Sequence, residues 1–170
     1  MTTLKDLRVE TVDIHRRRVV DRLLQLYLYE FTAFTRWDVN DEGLYDYPWI
    51  ERYWTQPGRS VWLFRVGGHP AGFALVGTYS LVLPAGSARS MSEFFVMRKY
   101  RRMGVGRAAA TAIFDRLPGA WEVAQWRGDL EATAFWRKVI GAYTGGRFDE
   151  HAPREPEWAG FVQTFDNGGA

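Results

Sequence analysis

Two glycines set the chemical question in this chain. Gly104 and Gly106 separate a basic run, Arg98 to Arg102, from an alanine-rich segment of helical character. In a Gly-x-Gly turn that opens a helix, consecutive backbone N–H groups can face one anion, and the positive end of the helix adds to the field. Phosphate is the expected ligand. A P-loop needs four residues between its glycines, then Lys with Ser or Thr, and Gly104-Val105-Gly106-Arg107 does not supply them. A dinucleotide fold matches literally at "GVGRAA", but there the first glycine follows its strand almost directly. Here the six residues from Arg98 to Met103 intervene, and only 64 residues follow Gly106. Two readings stay open on the residues alone. One is an ordinary turn and helix start. The other is a pyrophosphate cradle fed by the strand Phe94-Phe95-Val96, with charge-assisted contacts from Arg101, Arg102 and Arg107.

The elements that must position this turn follow from hydrophobic periodicity. Leu7 to Val12 alternates as a first strand. Arg16 to Phe34 places Val19, Leu23, Leu26, Phe31 and Phe34 near helical spacing. Thr35 to Pro48 is an acidic loop, and Trp49 to Trp54 a short helix before Pro57-Gly58. Ser60 to Val66 and Ala71 to Thr78 flank a Gly-Gly turn as a hairpin. A strand at Ser92 to Met97, a helix at Gly104 to Leu117, the strand "WEVAQW" and a helix at Leu130 to Ile140 follow. Tyr143 to Phe148 and Trp158 to Phe165 are expected to close the sheet as a hairpin, with Pro153 and Pro156 in the connection. The class is α/β or α+β: one domain over residues 1–166, with a mixed sheet covered by helices, and a frayed tail at 167–170.

The turn and a second block together resemble the GNAT superfamily of acetyl-CoA-dependent N-acyltransferases. Its central motif looks like V-x-P-x-x-[RQ]-x-x-G-x-[GA], matched by Val96, Arg101, Gly104 and Gly106, with Arg98 where proline is usual. "EFFVMRKYRRMGVG" is similar to the corresponding stretch of spermidine/spermine acetyltransferases. The second block resembles N-x-x-A-x-x-F-Y-x-[KR]-x-G, matched by Asp129, Ala132, Phe135, Trp136 and Lys138, with one extra residue before Gly141. The resemblance covers Ser92 to Tyr143. It implies a mostly antiparallel mixed sheet whose central strands splay, with acetyl-CoA (or CoA) as cosubstrate and its thioester in the gap. The implied cofactor-binding residues are Phe95, Val96, Met97, Arg101, Arg102, Met103, Gly104, Val105, Gly106, Arg107, Asp129, Phe135, Trp136 and Lys138.

Acyl transfer to an amine needs a neutral nitrogen, a held thioester and a donor for the charge developing on the carbonyl oxygen. An alkyl ammonium resembling lysine titrates near 10.4, so a base helps. Glu93, three residues before Val96, is the candidate base, with a rim carboxylate as its alternative; Ser92 could order a water beside it. A backbone N–H near Val96 or Met97 would meet the oxygen. Trp136 stands where the family often has a tyrosine acid, and an indole N–H only donates; Tyr143 is the substitute candidate. Tyr27, Glu30, Asp38, Asp41, Glu42 and Asp46 fall where the family topology places the acceptor, and would suit a small-molecule or peptide amine of cationic character. The alternative for that set is a solvated acidic loop. Trp121, Trp126 and Trp136 are candidate walls of the CoA groove.

The bulk numbers bound the rest. A net charge of +2 does not argue for nucleic acid, although a nucleic-acid role for Arg98 to Arg107 is a third reading. The absence of cysteine removes disulfides, thiolate metal sites and cysteine nucleophiles, and His15, His69 and His151 lack metal-ligand spacing, so no metal is expected. The polar N-terminus is no signal peptide and the apolar runs are short, so the expectation is a cytoplasmic protein with no membrane partner; a homodimer is compatible. The leading expectation is an N-acetyltransferase. The competing one is a CoA-binding sensor or interaction module with little turnover.

Overall fold

The computed structural model describes residues 4–153 and 158–169. A seven-stranded sheet runs in the order β1-β2-β3-β4-β5-β7-β6. Its strands are β1 (Leu7–Thr11), β2 (Ser60–Val66), β3 (His69–Gly77), β4 (Arg89–Val96), β5 (Ala120–Trp126), β6 (Asp149–His151) and β7 (Gly160–Asp166). Every neighbouring pair is antiparallel except β4 and β5. That parallel pair holds only at Arg89↔Trp121 and Ser90↔Glu122; beyond these two rungs the strands part.

Helices α1 (Arg17–Phe31) and α2 (Ile50–Thr55) cover one face, and α3 (Val105–Arg116) and α4 (Leu130–Thr144) the other. The "SVWLFRV" strand is apolar on both sides because both faces are covered: Val61 and Leu63 pack toward α1, Trp62, Phe64 and Val66 toward α3 and α4. On α1 the buried stripe is Val20, Leu23, Leu24 and Leu28. Burial of about 1.5–3 kcal/mol per aliphatic side chain, rather than propensity, pins this helix to the sheet. The expected stripe differs. Leu26 lies roughly 200° around the helix from Leu24 and is exposed. Phe34 falls beyond the helix end and is exposed as well.

β4 carries a bulge. Leu75 pairs with Glu93 and Val76 with Met91, so Ser92 is the extra residue. The bulge reverses facing, so that Met91 packs on the α3–α4 layer while Glu93 turns toward α1. The expected strand from Tyr143 to Phe148 is absent. Val139, Ile140 and Tyr143 continue the helical spacing, and α4 ends only at Gly145, whose φ of 62° is the left-handed cap a glycine permits. The hairpin partner is the shorter β6. Pro153 lies in the connection to β7, and Pro156 is outside the described residues. Asn167, assigned by sequence to the tail, accepts the Gly119 N–H and donates to the Phe114 carbonyl.

Candidate active site

Glu93 sits on β4 immediately after the bulge, on the strand that faces the split. Its carboxylate accepts hydrogen bonds from Tyr27 Oη (2.6 Å) of α1 and Tyr47 Oη (2.7 Å) of the α1–α2 loop. Burial raises the Glu93 carboxyl above the ordinary carboxylate range, and the two phenol donors pull it partly back. Burial and the adjacent carboxylate push both phenols well above the usual tyrosine range, so they remain protonated donors. Burial also raises Tyr53 nearby, an effect that Ser92 reduces. The Ser92 and Ser90 hydroxyls lie 3.0 Å apart. Tyr47 gave no signal in the sequence, because a loop tyrosine before a proline has no periodicity to reveal its partner.

The edge of β4 is read from one hydrogen bond. The Met97 N–H donates to the Ala71 carbonyl at 2.8 Å, toward β3, so it is not available to an oxyanion. Strand alternation therefore turns the Val96 and Phe94 peptide groups the other way, toward the split. On that side the Val96 carbonyl accepts Arg101 Nε at 2.7 Å.

Arg101 is folded back. Its Nη2 pairs with Glu30 Oε2 and its guanidinium lies over the Phe95 ring at 5.7 Å. Glu30 also accepts Arg98 Nε at 2.9 Å. Two of the expected site residues, Glu30 and Arg101, are thus partners of each other rather than free groups. Arg102 and Arg107 are exposed and have no ion pair or hydrogen bond among the described residues.

The start of α3 fits a bound pyrophosphate. Gly104, the cap residue, has φ of +81°, no side chain caps the helix, and Arg102 is at φ 61°. Ala108 makes the first helical bond, to the Gly104 carbonyl, so the N–H groups of Val105, Gly106 and Arg107 have no partner within the helix. Gly106 serves a different purpose. A Cβ there would meet the Phe135 ring at 3.1 Å, so this glycine lets α3 and α4 approach. Met103 is exposed and Val105 buried beside it.

The second block is mostly structural. Asp129 caps α4 by accepting the Ala132 N–H at 2.9 Å. Phe135 stacks on Phe94. Trp136 is only 5% exposed, meeting Phe94 and Phe135 edge-on at 5.0 Å each. Trp121 is fully buried against Phe114 and Phe165 and walls no groove; Trp126, at the end of β5, reaches the surface. Lys138 is exposed and unpartnered among the described residues.

Tyr143 is not brought to Glu93. Its hydroxyl donates to Asp115 Oδ1 at 2.8 Å and accepts from Asn167 at 3.1 Å, on the α3–α4 layer. It lines an open depression of about 620 Å³ with Arg147 and Asp166, on the far side of the sheet from the Glu93 carboxylate. No group of His, Asp and Glu able to hold a metal occurs among the described residues. Glu122 is a further buried polar residue, outside the set expected at the site. It is 2% exposed and accepts the N–H groups of Leu81, Val82 and Leu83, holding the β3–β4 loop at the last rung before the split.

The β4 and β5 edges part beside the uncapped start of α3. The Acetyltransferase (GNAT) family profile matches residues 21–142, and the chain belongs to this family of acetyl-CoA-dependent acetyltransferases. Among solved structures it is similar to an acetyltransferase from Thermus thermophilus, at 16% identity and a TM-score of 0.66, covering 98% of this chain and 99% of that one. The Salmonella typhimurium protein yncA, solved with its cofactor acetyl-CoA, aligns at 13% identity and a TM-score of 0.63, covering 97% and 96%. An aminoglycoside acetyltransferase from an uncultured soil metagenomic sample, in complex with sisomicin, aligns at 14% identity and 0.59, covering 79% and 88%. No curated protein matches the sequence. No described helix is long and apolar enough to cross a membrane.

Proposed function

We propose that this chain transfers the acetyl group of acetyl-CoA to a primary amine by direct attack in a ternary complex, with Glu93 as the base. One observation carries this: a half-buried carboxylate, held by Tyr27 and Tyr47, stands at the lip of the β4–β5 split. When bound, acetyl-CoA supplies an activated acetyl group as its thioester. Val105, Gly106 and Arg107 N–H groups hold its pyrophosphate, with Arg102 and Arg107 side chains adding charge. Glu93 accepts the proton of the incoming ammonium, directly or through one water. A β4 N–H aimed at the gap, that of Val96, donates to the carbonyl oxygen as it gains charge. As the C–N bond formed and the C–S bond broke, the thiolate would leave without a protein acid and the nitrogen would give up its second proton to solvent. Positioning then supplies most of the acceleration.

One observation favours a second reading, a CoA-binding module with little turnover: the buried Trp136 leaves no acid at the position where the family often has one. Thermal-shift titration with CoA followed by thiol release over an amine panel separates the two. Stabilisation with release supports the transferase, and Glu93→Gln then lowers kcat about 100-fold at neutral pH, a typical loss for a general base. Stabilisation without release from any amine supports the module.

A further inference from the structure

The acceptor side of Glu93 is aromatic, and its charge is unlike what the acidic loop suggests. An unbroken chain of ring contacts leads outward from the carboxylate. Tyr27 meets Phe31 at 5.8 Å, and Phe31 meets Phe34 at 5.7 Å and Trp37 at 5.6 Å. The β5–α4 turn closes this path from the other side of the split. Gly128 lies against both Phe34 and Trp126, and Trp126 packs edge-on to Trp158. Phe34, Trp37 and Trp126 are 39%, 49% and 37% exposed, so the path opens to solvent as an aromatic rim.

Along this path Glu93 is the one carboxylate without a cationic partner or a capping duty among the described residues. Glu30 is neutralised by Arg98 and Arg101, and together the three leave excess positive charge at the rim. Asp129 is committed to the α4 cap. The acidic loop is organised within itself. Asn40 ties Asp46 and the backbone of Glu42 and Leu44 into a self-contained turn, and Asp38, Asp41 and Glu42 are exposed.

From this we infer that the acceptor is a monoamine on an aromatic or similarly apolar body, and not a polycation; the inference rests on the transferase reading above. The single ammonium would meet Glu93 within the rings of Tyr27 and Tyr47, whose faces attract a cation. Its apolar body would lie along Phe31, Phe34 and Trp37. A second ammonium directed at Glu30 would face the Arg98 and Arg101 guanidinium groups that already occupy it.

The test compares 2-phenylethylamine and tryptamine with spermidine and kanamycin by thiol release. Calorimetric binding of the same amines to the CoA-loaded protein is measured in parallel. The expected result is kcat/KM at least roughly tenfold higher for the aryl monoamines, the scale of apolar-pocket discrimination. Trp37→Ala should raise KM for 2-phenylethylamine while leaving CoA affinity unchanged. Thiol release that favours spermidine or kanamycin overturns the inference and leaves the transferase reading standing. Aryl amines that bind without thiol release from any amine support the acceptor class and overturn the transferase reading. Failure of the aryl monoamines both to bind and to react overturns the inference.

Discussion

Glu93 is held in an arrangement that costs something to keep ionised. Burial raises its pKa, and the two tyrosine donors favour the charged form. As a base it works deprotonated, so turnover rises with pH through its pKa. Removing a donor weakens only the ionised form. Tyr47→Phe and Tyr27→Phe should therefore move the acidic limb of the kcat/KM profile to higher pH, with little change well above it. A limb that stays in place in both variants would separate Glu93 from the rate. Trp136 makes the complementary point: its aromatic contacts explain its presence as packing, so Trp136→Tyr tests nothing about an acid unless the new hydroxyl can reach the slot.

At the scale of elements, the turn from β4 into α3 divides its arginines between two jobs. Arg101 braces the turn to α1 through Glu30 and to β4 through the Val96 carbonyl. Arg102 and Arg107 stand beside the open N–H groups of α3. Arg102→Ala or Arg107→Ala should each weaken CoA binding roughly tenfold, the loss of one charge-assisted contact. Neither should change Tm appreciably. Arg101→Ala should lower Tm as well as affinity, since it releases β4 from α1. Titrating CoA by calorimetry and recording unassisted melting curves distinguishes these outcomes. The motif was legible because glycine spacing is a backbone requirement, and Gly104 meets it with a positive φ. The partnership of Glu30 with Arg101 was not, since it joins residues far apart in sequence on two elements. Tyr143 was misread as strand because aromatic content favours strands, while the spacing Val139-Ile140-Tyr143 belonged to a helix that tolerates Gly141.

For the whole molecule, helical segments interrupting a mostly strand-rich order were enough to expect a mixed sheet covered by helices. It was silent on the contact that assembles the site, because Tyr47 reaches Glu93 only when the α1–α2 loop folds over the sheet. That assembly has a stability signature. A carboxyl whose folded pKa lies above its unfolded value binds its proton more tightly when folded. Its contribution to stability is fully present below the unfolded value near 4.5 and is lost as pH rises through the folded value. Glu93→Gln carries no such charge. Its Tm relative to the parent should therefore increase from acidic to neutral pH, a gain in stability at the site where activity is lost. A difference in Tm independent of pH would mean that the carboxylate is not under this load.

The two rungs between β4 and β5, and the triple grip of Glu122 just beside them, have a kinetic meaning. A sheet that had to be unzipped to admit its cosubstrate would impose an opening step on every turnover. Here only two rungs join β4 to β5, and past them the two strand edges are not paired with each other. The strands are locked at one end like the spring of a clothes-peg, and the jaws rest apart. A thioester that enters here, as the transferase proposal requires, breaks no β4–β5 ladder bond.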